Sequence, residues 1–439
     1  MRNDRTGGIV SRNRFPTLLV FYILFTVGTL FMLNREVSAM SQVSCLVLIV
    51  AGIFLHIDDL ICLIAAILPT GNVFMLGGGN TAIPFLLLIY IMKSIIRCGG
   101  RIDIDAMRPL LWAMLLLAIS IITTTLHSVS IMKIIPFYMH IVFIVFALRV
   151  NHINDESMYR KMSLYFVAGT LLVCAGTVFF PKVSRALGNA SVYLQENAGF
   201  SSTWDFGRSL TVSIAFVAVD MIKTKKRIVL DIALVLILMF FVVQSGRFSM
   251  LIGLGAIIVC LPFVSGRDKP LKQKVPYTVL MLVAVAVAAY ALYKLVYTPM
   301  TKLRGIEASD NGRFDIWEIY FDYLNKNLSI VLFGVGGGAV SSFADMLGTA
   351  TAHNIILEKT VEVGIVGLFL FIMYFLSLYR NMNLNPLRNE NVLPLVAFLG
   401  TALTQGTTGN VAFALLLAMC ATDVSDRGDN IIVQQSIKC

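Results

Sequence analysis

The chain has 439 residues, 57% of them hydrophobic and only 14% charged, with a mean hydropathy of +0.82. Soluble globular domains run at about 45–50% apolar and about 25% charged, so the composition excludes a soluble enzyme and predicts an all-α polytopic membrane protein. The net charge of +10 would suggest a nucleic-acid partner in a soluble protein. Here no basic stripe with interleaved aromatics sits on a polar domain, so no nucleic acid is expected.

Met1 to Pro16 carries Arg2, Arg5, Arg12 and Arg14 ahead of the apolar run 17–33. That run is long for the core of a signal peptide, and no small-residue cleavage site follows it. It reads as a retained first span. Further spans are expected at 42–57, 60–76, 81–96, 109–125, 134–150, 163–180, 207–222, 228–244, 248–264, 275–297, 355–378, 391–404 and 409–422. At roughly 20 residues per span, this makes about 12–14 transmembrane helices in one integral membrane domain, 1–439. The segment 60–76 is the weakest, interrupted by Pro69, Gly71 and Gly77–Gly79. Seven cysteines are scattered singly, with no paired spacing. Neither a zinc site nor a disulfide framework is expected.

Lys and Arg residues gather between alternate spans. With the N-terminus inside, about 23 of the 35 basic residues fall on the inner side. That bias places both termini in the cytoplasm, and it places two polar segments outside: Pro181–Phe206 and the long loop 298–354, which precedes the twelfth span. Asp220 and Asp231 flank the basic run Lys223–Arg227, where interfacial pairing is expected. Asp58 and Asp59 fall on the inner side, opposite the long loop. No internal repeat of the kind found in inverted-repeat transporters is visible.

The 298–354 connection is the longest in the chain, and connections well beyond a dozen residues are usually functional. It contains Asn311-Gly312-Arg313-Phe314-Asp315-Ile316-Trp317, then Phe333-Gly334-Val335-Gly336-Gly337-Gly338, and ends on His353-Asn354. Trp317, Tyr320, Phe321, Tyr323 and Leu324 make the segment after Arg313 amphipathic, suited to lie along the bilayer surface. The Gly334–Gly338 run lacks a following Gly-Lys-Ser/Thr and a preceding strand, so it is a turn allowing close backbone approach rather than a nucleotide loop. After His353-Asn354 come nine residues, Gly364, two residues and Gly367.

Together these motifs resemble the conserved region of the bacterial O-antigen ligase and polymerase family, membrane enzymes that join lipid-linked glycans. In that family an Arg-containing GR…W segment leads to a G-x-G turn, and His-Asn opens a helix with this glycine spacing. Ser245-Gly246-Arg247 is similar to the family's Ser-Arg element but departs from it by one inserted glycine. The likeness covers roughly Gln244 to Arg380, which makes 244–380 the expected catalytic region. It implies a fold of the GT-C type and metal-independent glycosyl transfer, with no cofactor. It also implies an undecaprenyl-diphosphate-linked glycan donor, a glycan acceptor and surrounding membrane lipid. Chain-length regulator and flippase proteins are the further partners to expect in the bacterial cytoplasmic membrane.

Such a reaction needs a base for the acceptor hydroxyl, positive charge for the departing diphosphate, and exclusion of water. His353 suits the first task. It stands just before an apolar helix, whose N-terminal partial positive charge disfavours imidazolium. Arg247 and Arg313 suit the second, because guanidinium is permanently charged and forks onto two phosphate oxygens. Arg208 and Arg304 are added by predicted location alone. The plainer alternative for each arginine is an ion pair with loop acids such as Asp310 or Asp315. Positions 353, 357, 360, 364, 367 and 371 fall on one helical face. On that face Gly364 and Gly367 are expected to let another helix or a lipid tail come close. Asn354, Gly312 and Gly336 complete the motif set, and Glu358 and Glu362 are expected to meet Lys359 or neighbouring loops.

The predicted activity is polymerisation of undecaprenyl-diphosphate-linked repeat units of an O-antigen, capsule or exopolysaccharide. The nearest rival is an O-antigen ligase, which hands the same donor to lipid A–core. A transporter or flippase of an anionic lipid-linked solute is the rival of a different class.

Overall fold

A computed structural model of the chain describes residues 7–76, 81–99, 104–127, 134–151, 155–180, 203–224, 227–245, 248–265, 313–349, 351–378 and 390–403, with a few single positions besides. Among the described residues the regular structure is helical, apart from one isolated antiparallel bridge between Met75 and Thr81. In chain order the helices are α1 (Gly7–Asn34), α2 (Ala39–Phe54), α3 (Ile57–Thr70), α4 (Ala82–Arg97), α5 (Ile104–Leu126), α6 (Ile134–Val145), α7 (Glu156–Phe179) and α8 (Thr203–Thr224). They continue as α9 (Ile228–Ser245), α10 (Phe248–Ser265), α11 (Arg313–Lys326), α12 (Leu328–Phe333), α13 (Val340–Met346), α14 (Ile355–Leu378) and α15 (Leu393–Ala402).

Four of the described helices are long and apolar enough to cross a membrane: Pro16–Asn34 within α1, Ala106–Leu126 within α5, α7, and α14. Shorter apolar helices stand at 39–54, 138–150, 228–242, 249–264 and 390–402, all at positions where spans are expected. The expected spans 275–297 and 409–422 lie outside the described residues. Large apolar side chains such as Leu24, Phe54, Met114, Ile122, Phe369 and Leu376 are exposed on the outer helices, as surfaces turned to lipid must be. The chain is a polytopic helical membrane protein.

The segment expected as a span at 60–76 takes a different form. Its helix, α3, starts three residues earlier at Ile57, ends at Thr70 and passes into a single 3-10 turn. Its 14 residues reach only about 21 Å, against about 30 Å of hydrocarbon. From Leu60 to Ile67 it is buried on every side, as a helix apolar all round must be. It is a central pillar packed on α7 and α4, with Pro69 near its end.

Where water is excluded, polar side chains must find partners on neighbouring helices. The Tyr22 hydroxyl of α1 donates to the Ala66 carbonyl at 2.8 Å and meets Thr70 Oγ1 at 2.7 Å. Ser213 donates to Thr170 at 2.8 Å, and Tyr374 to the Ile141 carbonyl at 2.8 Å. The pairing expected around Lys223–Arg227 also differs in detail. The Lys223 ammonium donates to Glu156 Oε2 at 2.7 Å and to Asn391 Oδ1 at 2.6 Å, joining α7, α8 and the turn before α15.

Two hydrophobic cores divide the described residues. The larger runs through α1–α10 and takes in Val363, Leu370, Tyr374 and Leu378 of α14, with Leu393, Ala397 and Phe398 of α15. The smaller gathers Tyr320, Leu324, Ile330, Val335, Ala339, Phe343 and Ala352 around Leu357 and Val361 of α14. The second part of the long 298–354 segment is therefore a small helical body with its own core. That body is mounted on the first turns of α14.

Candidate active site

Helix α14 begins at a built cap. Asn354 Oδ1 accepts the amides of Ile356 at 3.0 Å and Leu357 at 3.2 Å, two of the donors that a helix start leaves without an internal partner. His353, immediately before the cap, is half-buried and has φ 50°. Among the described residues it shares a positive φ with only one other non-glycine, Glu36. A residue with a side chain held there costs about 1–3 kcal/mol and persists only where its surroundings over-determine it.

Contacts on both sides of the residue hold it there. The His353 amide donates to Glu358 Oε1 at 3.0 Å. The imidazole lies 3.5 Å from Thr351 Oγ1 by either ring nitrogen. One residue upstream, the Ala352 carbonyl accepts the indole N–H of Trp317 at 2.7 Å. Trp317 comes from α11, where Phe314 meets its ring edge-on with centroids 5.5 Å apart. Tyr320, one turn further along α11, is fully buried, and that burial raises its phenol well above the ordinary range.

A second feature lies two turns into α14. Gly364 adopts φ 63° and ψ −176°, which breaks the helix. In an unbroken helix the carbonyls of Val361 and Glu362 would accept amides four residues on. Instead Val361 accepts the amide of Val335 at 2.8 Å, and Glu362 that of Gly336 at 2.9 Å. The Gly334-Val335-Gly336 turn is thus threaded into the break. A Cβ on Gly364 would stand 2.4 Å from the Leu332 carbonyl carbon, and one on Gly336 only 1.8 Å from Thr124 Oγ1 of α5.

Gly336 therefore serves the close backbone approach expected of it. The expected continuous face 353–371 does not hold past Gly364, because the chain leaves helical geometry there. Gly367 lies in the second half, where a Cβ would come 3.2 Å from Leu116 of α5. That contact is the helix packing the sequence suggests.

The charges around this frame are buried. Glu362 is fully buried and pairs with Lys359 at 2.6 Å, as expected. Glu358 is 3% exposed. Arg208 on α8 is also buried, its guanidinium 5.9 Å from the centre of the Phe398 ring, and it lies within electrostatic reach of Glu358. Arg313 is the first residue of α11, but its side chain lies outside the described part. Arg247, Arg304 and Gly312 lie outside the described residues altogether.

The structure thus joins His353 and Asn354 to Glu358 by hydrogen bonds, leaves Arg208 within electrostatic reach of that carboxylate, and brings Gly336 to the Gly364 break. Sequence reasoning missed Glu358 as the partner of His353, although the spacing from Asn354 to Glu358 is close to that of a reciprocal capping pair. It also missed Trp317 as a strut, for which no local signal exists.

A helical bundle with membrane-length spans, carrying a constrained histidine where a polar body meets a broken span, defines a polytopic membrane protein with a candidate site at the mouth of a helix. Residues 232–372 match the family model described as O-Antigen ligase. That segment, which runs from α9 into α14, supports the likeness to the O-antigen ligase and polymerase superfamily that the sequence motifs show. No curated protein and no solved structure matches it.

Proposed function

We propose that the chain is a polysaccharide polymerase of the bacterial cytoplasmic membrane. It joins undecaprenyl-diphosphate-linked repeat units on the outer face, by metal-independent glycosyl transfer with inversion at the donor's anomeric carbon. His353 takes the proton of the acceptor hydroxyl. That oxygen forms the new bond to the anomeric carbon as the bond from carbon to diphosphate breaks. The electron pair leaves on the carrier diphosphate, whose growing charge Arg208, Arg247, Arg313 and Arg304 are positioned in sequence to meet.

The observation that carries this reading is the constrained placement of His353 ahead of the Asn354 cap, inside the segment that matches the family. Both termini are cytoplasmic in this proposal, and the 298–354 segment faces outward. Chain-length regulator and flippase proteins are the partners it would work beside.

The test is what accumulates on the carrier lipid in a strain whose only copy is His353→Ala. A failed polymerase leaves single repeat units, because the first joining step does not occur. Long chains still attached to the carrier would identify a ligase, since polymerisation lies upstream of that step. Cargo retained on the inner side would identify an exporter.

A further inference from the structure

We propose that Glu358 is a positioning residue for His353. The proposal rests on reading His353 as the general base and adds the device that aims it. A buried carboxylate is costly unless its oxygens are engaged. Glu358 is buried, and its Oε1 accepts the His353 amide at 3.0 Å.

Helix capping does not account for this contact. Asn354 already accepts the amides of Ile356 and Leu357, so the N–H that Glu358 takes belongs to the residue before the cap. Lys359 and Arg208 lie within electrostatic reach of Glu358, but the 2.6 Å ion pair of Lys359 is with Glu362, and neither charge accounts for the bond to the His353 amide. What Glu358 secures is the one described non-glycine residue near the site whose φ is positive, at 50°. Release of that amide lets residue 353 relax toward negative φ, and a swing of the Cα–Cβ bond carries the imidazole with it. The Trp317 bond to the Ala352 carbonyl fixes the chain from the other side, so the two contacts bracket the base. The function assigned to Glu358 is that of a hydrogen-bond acceptor, and glutamine can supply the same oxygen at the same reach.

The experiment uses the full chain in lipid nanodiscs, supplied with the carrier-lipid extract of the His353→Ala strain, and reads kcat and KM per folded molecule. Glu358→Ala is expected to lower kcat about 10–100-fold, the scale of a misplaced catalytic group, while KM stays within about two-fold. Glu358→Gln is expected to stay within about three-fold of wild type in kcat. Glu358→Asp keeps the charge but falls one methylene short, so it is expected to share the loss of the alanine variant. The Asp and Gln pair decides the matter even where Glu358→Ala does not fold. Active Asp with inactive Gln would overturn the proposal in favour of charge, and full kcat in folded Glu358→Ala or in both conservative variants would overturn it outright. His353→Ala is measured alongside. Full activity there removes the base reading itself, whereas an inactive His353→Ala beside an active Glu358→Ala or Asp removes only the positioning.

Discussion

The amide of Gly336 donates to the carbonyl of Glu362 across 2.9 Å, at the place where Gly364 takes α14 out of helical geometry. This contact fastens the small helical body of the 313–352 region to a membrane span. It also separates the two cores: Leu357 and Val361 before the break belong to the smaller, Leu370 and Tyr374 after it to the larger. His353, at the near end of the same helix segment, therefore takes its position from the small body rather than from the bundle alone.

Gly364→Ala tests that junction. The residue combines φ 63° with backbone atoms of Leu332 and Phe333 within 2.5 Å of any Cβ, so the change is expected to cost at least about 1–3 kcal/mol and to abolish turnover. Gly28→Ala is the control, because nothing lies within 4 Å of a Cβ there. The thermal midpoint in detergent and the activity per folded molecule check both variants. Equal behaviour of the two would show that the break is incidental.

Trp317→Phe removes one hydrogen bond and little volume. Loss of the bond to Ala352 is expected to cost about 1 kcal/mol and to lower turnover several-fold, with limited proteolysis faster in the 313–352 region. An unchanged cleavage rate and unchanged turnover would mean that the strut does not hold the approach to His353.

The bundle, the long polar connection and the His353-Asn354 motif were legible in the sequence, because apolar run length and a fixed spacing are local signals. The Gly364 break was not. The residues from Ile355 to Val363 continue smoothly into those beyond Gly364 in both propensity and apolar pattern, and only the distant Gly334-Val335-Gly336 turn requires the interruption. The second core escaped for a similar reason: Tyr320, Phe343 and Val361 meet across gaps that no window of sequence spans. Span 60–76 misled because a buried helix and a lipid-facing one are equally apolar. For Glu358 the expectation of Lys359 or a neighbouring loop is met by both, Lys359 through charge and the loop through the His353 amide, but the sequence does not single out that amide.

The buried pair Lys359–Glu362 supplies a further prediction. Lys359→Met leaves the fully buried Glu362 carboxylate without its cation, and breaking such a pair costs about 3–5 kcal/mol. Lys359→Met with Glu362→Met is expected to recover most of that loss, because the Glu362 backbone carbonyl that holds Gly336 is retained. The folded fraction after detergent extraction measures both. A single variant as stable as wild type would contradict the assignment of Lys359 as that cation.

Topology is tested by cysteine labelling in a variant stripped of native cysteines. Ser309→Cys and Ser341→Cys are expected to react with an impermeant maleimide in intact cells, and Thr224→Cys only after permeabilisation. The reverse pattern would put His353 on the cytoplasmic side, where the joining of exported repeat units cannot occur.

The most direct measurement of the central claim is single-turnover transfer by purified His353→Ala, with retained binding of the carrier-linked donor verified on the same sample. A general base contributes about 10²–10⁴ in rate, so transfer is predicted to fall by that factor while the donor still binds. Transfer within about two-fold of wild type, beside unchanged binding, would show that His353 is not the base.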